Sequence, residues 1–167
     1  MNSKDISVII PVFNCATHLT ELLDSLYKQS GVSLEIIAVN DGSTDNSQSI
    51  LEDAAHRDSR LVIVNQPNKG LSAARNTGIA WATARWVAFA DGDDWLAPDA
   101  LSTWLQQAKQ QQVDLLIGNG FAFTTPPNYQ PVVLCCINNP GAKQLAASNG
   151  LFVVLNTMNG RIMHGCN

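Results

Sequence analysis

Apolar positions switch period several times along the first part of the chain. Ile6–Val12 is a nearly unbroken apolar, β-branched run, the pattern of a strand covered on both faces. Pro11 falls near its end, where a missing N–H costs least. His18–Gln29 instead carries Leu19, Leu22, Leu23 and Leu26 at helical spacing. The two patterns then alternate. Leu34–Asn40 reads as a second strand, and the turn Gly42–Asp45 caps a helix running to about His56. Leu61–Val64 is a third strand, and Leu71–Thr83 a helix with Ser72 as its candidate cap. Trp86–Ala90 is a fourth strand. Pro98 and Asp99 open a helix to about Gln112, and Leu115–Gly118 is a fifth, short strand.

Beyond Gly118 the pattern weakens. Thr124–Pro131 is a Pro-containing loop, Val132–Ile137 a candidate strand, Ala142–Ala147 a short helix and Leu151–Leu155 another strand. Strand–helix alternation of this kind predicts an α/β fold: a Rossmann-like, mostly parallel sheet with flanking helices and right-handed crossovers. In such sheets a ligand lies beyond the carboxyl ends of the strands. Those ends hold Asn14, Asp41, Gln66 and Asp91, and both acids are followed by glycine, Gly42 and Gly92.

Composition narrows the partners. The 167 residues suit one domain, the net charge is −4, and no Lys/Arg cluster interrupts it. That argues against nucleic acid, whose phosphate backbone needs a basic stripe, but not against a nucleotide held by one cation and a few donors. The N-terminus is polar, and no apolar run is long enough to cross a bilayer. Cys15, Cys135, Cys136 and Cys166 lack zinc-type spacing and read as free thiols in a reducing cytoplasm.

Three segments carry candidate chemistry. Asp91-Gly92-Asp93-Asp94 packs three carboxylates into four residues. Two such charges about 4 Å apart repel by on the order of 4 kcal/mol at an effective dielectric near 20. A hard divalent cation would relieve that, and magnesium or manganese fits oxygen-only ligands better than zinc. Magnesium takes one or two carboxylates and completes its shell with water and phosphate, so a diphosphate is a natural companion. The same residues also read as a solvated acidic turn, with Asp94 capping a helix. In Asn40-Asp41-Gly42-Ser43-Thr44-Asp45, Asp41 can accept from a base N–H or a ribose hydroxyl, whereas Asp45 reads as ordinary turn chemistry. In Asn68-Lys69-Gly70-Leu71-Ser72-Ala73-Ala74-Arg75-Asn76, Gly70 and the small residues after it let an anion approach a helix N-terminus. Arg75 lies one turn further in, within reach of a phosphate or a paired acid. No Gly-rich dinucleotide or ATP cradle is present. His18, His56 and His164 are scattered, and Trp81, Trp86, Trp95 and Trp104 read as packing residues rather than a stacking platform, with Trp95, beside the acidic turn, the one to watch.

Together the stretches SVIIPVFN (7–14), NDGSTDNS (40–47), NKGLSAARNTGI (68–79) and VAFADGDDW (87–95) resemble the family 2 glycosyltransferases, with the A-type glycosyltransferase (GT-A) fold. The resemblance covers residues 6 to 118 or so. It implies that Pro11, Val12, Phe13 and Asn14 line a nucleotide pocket, that Asp41 holds the base or ribose, and that Arg75 sits near the base and the acidic turn. It makes Asp91 and Asp93 an Asp-x-Asp pair. Asp93 would touch the magnesium or manganese ion most directly, and Asp91 the ribose or a metal-bound water. The implied activity is metal-dependent, inverting transfer of a sugar from a nucleotide diphosphate sugar, UDP-sugar by preference, to a saccharide or lipid-linked acceptor. The implied setting is bacterial polysaccharide or lipopolysaccharide synthesis in the cytoplasm, with peripheral association at the inner face of the plasma membrane.

The chain also departs from that family. The family's carboxylate base lies well past the Asp-x-Asp pair, yet no Asp or Glu follows Asp114. The expectation is therefore a chain truncated at its C-terminus. Residues 1–118 form the donor subdomain, and residues 119–167 begin an incomplete acceptor side. The catalytic base is expected beyond Asn167, the last residue of the sequence. A non-catalytic nucleotide-sugar module, or a subunit completed by a partner, is the competing expectation. A nucleotidyltransferase would want a basic Gly-rich loop where Phe13–Thr17 stands.

Overall fold

The computed structural model describes residues 4–117, 120–122, 130–132 and 153–156. In chain order its elements are β1 (Ile6–Val12), α1 (Ala16–Tyr27), β2 (Leu34–Asp41), α2 (Ser47–Arg57), β3 (Leu61–Gln66), α3 (Leu71–Trp81), β4 (Trp86–Phe89), α4 (Ala100–Gln111), β5 (Leu115–Ile117), β6 (Gly120–Ala122), β7 (Gln130–Val132) and β8 (Val153–Asn156). One sheet has the order β3-β2-β1-β4-β8-β5, and β6 pairs with β7 apart from it. Strands β3, β2, β1 and β4 are mutually parallel. β8 runs antiparallel to both β4 and β5.

All seven residues of β1 are buried because both of its faces are covered. Val8, Ile10 and Val12 share a core with the leucines of α1, with Leu51 of α2 and with Leu101 and Leu105 of α4. Ile37 and Val39 face the other way, against Ala74 of α3. The four periodic leucines of α1 are at most 1% exposed, and such burial stabilises by roughly 2 kcal/mol each. On the α3 side the approach is closer still. A Cβ on Gly78 would overlap Ile9 Cγ2, so glycine sets the distance between α3 and β1.

The strand register places the ligand-facing loops side by side. Val12 pairs with Asn40, and Asp41 with Gln66, so the carboxyl ends of β1, β2 and β3 are level. At the opposite end, buried Ser7 donates to Glu35 Oε1 and accepts from the Ala84 N–H at 3.0 Å. Glu35 also receives Thr83 N and Oγ1 at 2.7 and 2.9 Å, which ties the start of β4 to β2.

Several expectations shift. Ser72 does not cap α3: Gly70 occupies the N-cap position and no side chain caps the helix. β3 runs on to Gln66 because Asn65 and Gln66 keep pairing with β2. β5 is not the next parallel neighbour of β4, since β8 lies between them. Trp86 is buried, but Trp81 and Trp95 are 54% and 46% exposed, so neither belongs to the buried core. Among the described residues no helix is long and apolar enough to cross a membrane. The expected helix at Ala142–Ala147, the strand at 133–137, His164, Cys135, Cys136 and Cys166 lie outside the described residues. So does Asn167, the position beyond which the catalytic base is expected.

Candidate functional site

The loops after β1 and β2 are welded by side-chain amides and hydroxyls. Asn14 takes a left-handed backbone, φ 52°, which asparagine tolerates better than most residues. Its Oδ1 accepts from Thr44 N at 2.8 Å and Asp45 N at 3.3 Å. Asp45 in turn accepts from Ala16 N and Ser47 N, both at 3.0 Å. One carboxylate thus serves the N-termini of both α1 and α2, where negative charge is favoured. Burial works against its charge, but the bonds from Ser47 and Ala16 outweigh that and hold its carboxyl below the usual range.

Asp41 is 2% exposed, yet its carboxyl is ringed by donors. Its Oδ1 accepts from Gln66 Nε2 at 2.6 Å and Lys69 N at 2.9 Å, and its Oδ2 from Gly70 N at 2.8 Å. Burial penalises the charge, but these donors prevail and depress the carboxyl. The arrangement orders the Asn68–Gly70 loop ahead of α3 and leaves spare acceptor capacity on Oδ2. Gln66 is itself set by Thr77 Oγ1, which donates to its Oε1 at 2.6 Å.

The acidic turn divides its three carboxylates. Arg75 Nη2 on α3 pairs with Asp91 Oδ1 at 2.7 Å. Asp93 is exposed and makes no hydrogen bond or ion pair among the described residues. Asp94 does not cap a helix; it turns inward and its Oδ2 accepts from Asp91 N at 3.3 Å. Burial, then the negative charges of Asp91 and Asp93, push its carboxyl up to about 6. Gly92 is buried against Cys15: a Cβ there would lie 2.5 Å from Cys15 Sγ. Burial likewise pushes the Cys15 thiol up.

A cavity of about 460 Å³ opens over these groups. Of the residues expected at the site, Pro11, Val12, Phe13 and Asn14 line it from β1 and its loop, and Asp41, Asp91, Gly92 and Asp93 from the other strand ends. Gly70 and Arg75 are not lining residues and act one layer behind, on Asp41 and Asp91 respectively. The structure adds Cys15, Thr17, His18 and Leu71, which sequence reasoning missed. Leu71 is 51% and Phe13 50% exposed, two apolar side chains left in solvent at one cavity. An apolar residue directly after Gly70, at the start of a helix, was the available signal for Leu71. Among the described residues, no group of three or more His, Cys, Asp or Glu side chains is placed to hold a metal; the turn offers Asp93 and one oxygen of Asp91.

Comparison with known proteins identifies the family and the fold. A family model described as glycosyl transferase family 2 matches residues 7–150. The chain is 41% identical over 118 residues to the glycosyltransferase GlyA of Streptococcus pneumoniae, covering 71% of this chain and 17% of GlyA. It is similar in structure to S. aureus TarS 1-349 in complex with UDP-GlcNAc, with a TM-score of 0.62, 31% identity and coverage of 67% of this chain and 33% of that one. A mannosyltransferase from Pyrobaculum calidifontis, in complex with GDP-Man and Mn2+, gives a TM-score of 0.63 at 28% identity, covering 70% and 35%. The chain spans less than half the length of the curated relatives it matches.

Proposed function

The chain belongs to glycosyl transferase family 2, and from that premise we propose that its cavity binds the nucleotide diphosphate of an activated sugar. The supporting observation is the convergence of Asp41, Asp91 and Asp93 on one cavity of about 460 Å³ at the carboxyl ends of a parallel sheet. In this reading the base lies between Phe13 and Leu71, with Asp41 accepting from a base or ribose group through Oδ2. The diphosphate lies toward Asp91 and Asp93. UDP is the preferred nucleotide, in keeping with the UDP-GlcNAc complex of the TarS chain.

A divalent cation fits the residues present. Asp93 is exposed and uncommitted, Asp91 keeps one oxygen beyond its bond to Arg75, and the field of both acids contributes to raising Asp94. Asp93 and Asp91 would hold magnesium or manganese, which would act as a Lewis acid on the leaving diphosphate. Arg75 fixes the orientation of Asp91, and Asp41 fixes the loop that presents Leu71.

The transfer is read as inverting, to a saccharide or lipid-linked acceptor in bacterial polysaccharide synthesis at the inner face of the membrane. Its carboxylate base is not supplied by residues 115–167, which contain no Asp or Glu. Residues 1–118 are accordingly read as the donor portion and residues 119–167 as the start of the acceptor side.

Calorimetry with UDP, with manganese and after chelation, tests the reading. Binding that needs the metal is expected. Equal binding after chelation would remove the metal, and no binding in either condition would remove the donor assignment. Robust sugar transfer by this chain alone would overturn the placement of the base.

A further inference from the structure

We propose that His18, on the first turn of α1, is a ligand for the phosphate oxygens of the donor in the cavity that the acidic turn also lines. The inference rests on the nucleotide diphosphate reading above. His18 is the third residue of α1, is exposed, and lines the same cavity as Asp91 and Asp93. The charge balance of that cavity singles it out. Its lining contains three carboxylates, Asp41, Asp91 and Asp93, and His18 is the one lining side chain that can carry positive charge.

Of the other positive features nearby, Lys69 acts on Asp41 from outside the lining and the rest are committed. Arg75 is paired with Asp91 and stands behind the lining. The amide of Ala16, which opens α1, donates to Asp45, and that of Cys15 donates to Ser47 Oγ at 3.2 Å. The positive end of the α1 dipole is therefore offset by the Asp45 carboxylate. A polyanionic diphosphate entering this cavity meets these acids and an imidazole that donates from at least one ring nitrogen in either protonation state. A divalent cation held by Asp93 and Asp91 would neutralise part of the charge at the turn. His18 supplies a donor to oxygens the cation does not reach.

The test separates phosphate recognition from recognition of the nucleoside. Uridine and UDP affinities, each with magnesium, are measured on the 167-residue chain, on His18→Ala and on His18→Gln. The exposed position keeps all three folded, which matching thermal transitions verify. His18→Ala is expected to weaken UDP about tenfold and uridine less than about twofold, the loss of one charge-assisted hydrogen bond. His18→Gln, which retains an N–H donor, recovers about half of that loss on the free-energy scale. UDP affinity unchanged in His18→Ala, or uridine and UDP weakened together, overturns the role of His18 while the donor reading stands. A wild-type chain that binds no UDP overturns the donor reading and this inference with it.

Discussion

Arg75 and Asp91 join α3 to the acidic turn: Arg75 Nη2 lies 2.7 Å from Asp91 Oδ1. One of the two acids assigned to the cation thus already carries a positive partner, and Asp93 is the uncompensated one. Arg75 holds its acid by this single contact, since its buried Nε has no partner among the described residues.

Replacing Arg75 by Ala should therefore have a metal-sensitive cost. The pair is 33% and 39% exposed, so its loss is worth about 0.5–1 kcal/mol without metal. Saturating magnesium should narrow the deficit, because the cation replaces the missing charge. Urea denaturation with and without magnesium reads both values, and an identical deficit in the two conditions would contradict the account.

Asp93→Ala should behave in the opposite way. An exposed carboxylate without partners contributes little to the fold, so stability should stay within about 0.5 kcal/mol of wild type. The increment that manganese adds to UDP affinity should fall at least about tenfold, as expected when one of two carboxylate ligands is removed. Calorimetry at fixed nucleotide with varied metal measures it.

Asp41→Asn should destabilise the protein by about 2–3 kcal/mol at neutral pH, because two backbone N–H groups and Gln66 lose a charged acceptor. The pH dependence follows from the depressed carboxyl. The unfolded chain takes up the proton first, near pH ~4, so the contribution of Asp41 is full above that value. It is lost as pH falls from there through the lower folded value. The gap between wild type and variant should accordingly close in acid, and denaturant midpoints across a pH series would show it.

Gly78→Ala should cost about 1–3 kcal/mol despite the better helix propensity of alanine, because its Cβ overlaps Ile9 Cγ2 on buried β1. Combining it with Ile9→Ala should be milder than the sum of the two changes, by about 1 kcal/mol or more in a double-mutant cycle.

The parallel core was legible because its signals are local. Apolar runs of β-branched residues and the spacing of Leu19, Leu22, Leu23 and Leu26 mark elements without knowledge of their neighbours. The acids at the strand ends followed from the same alternation, and Asp41, Asp91 and Asp93 do share a cavity. What stayed hidden depends on distant partners. Asn65 and Gln66 look like loop residues until Asn40 and Asp41 pair with them. The polarity of Asp41 reads as ligand chemistry, yet two of its three hydrogen bonds go to the loop preceding α3. Nothing near Val153 announces that it will sit against β5, or that its strand will separate β5 from β4.

That late insertion sets an order for assembly. β3, β2, β1 and β4 can join as they leave the ribosome, each through its own crossover. β4 then keeps an unpaired row of peptide groups until Val153–Asn156 has been synthesised and has closed a long loop against it. During that interval the nascent sheet is a template for any passing strand, so the moment of greatest exposure to misassembly falls after most of the core has formed.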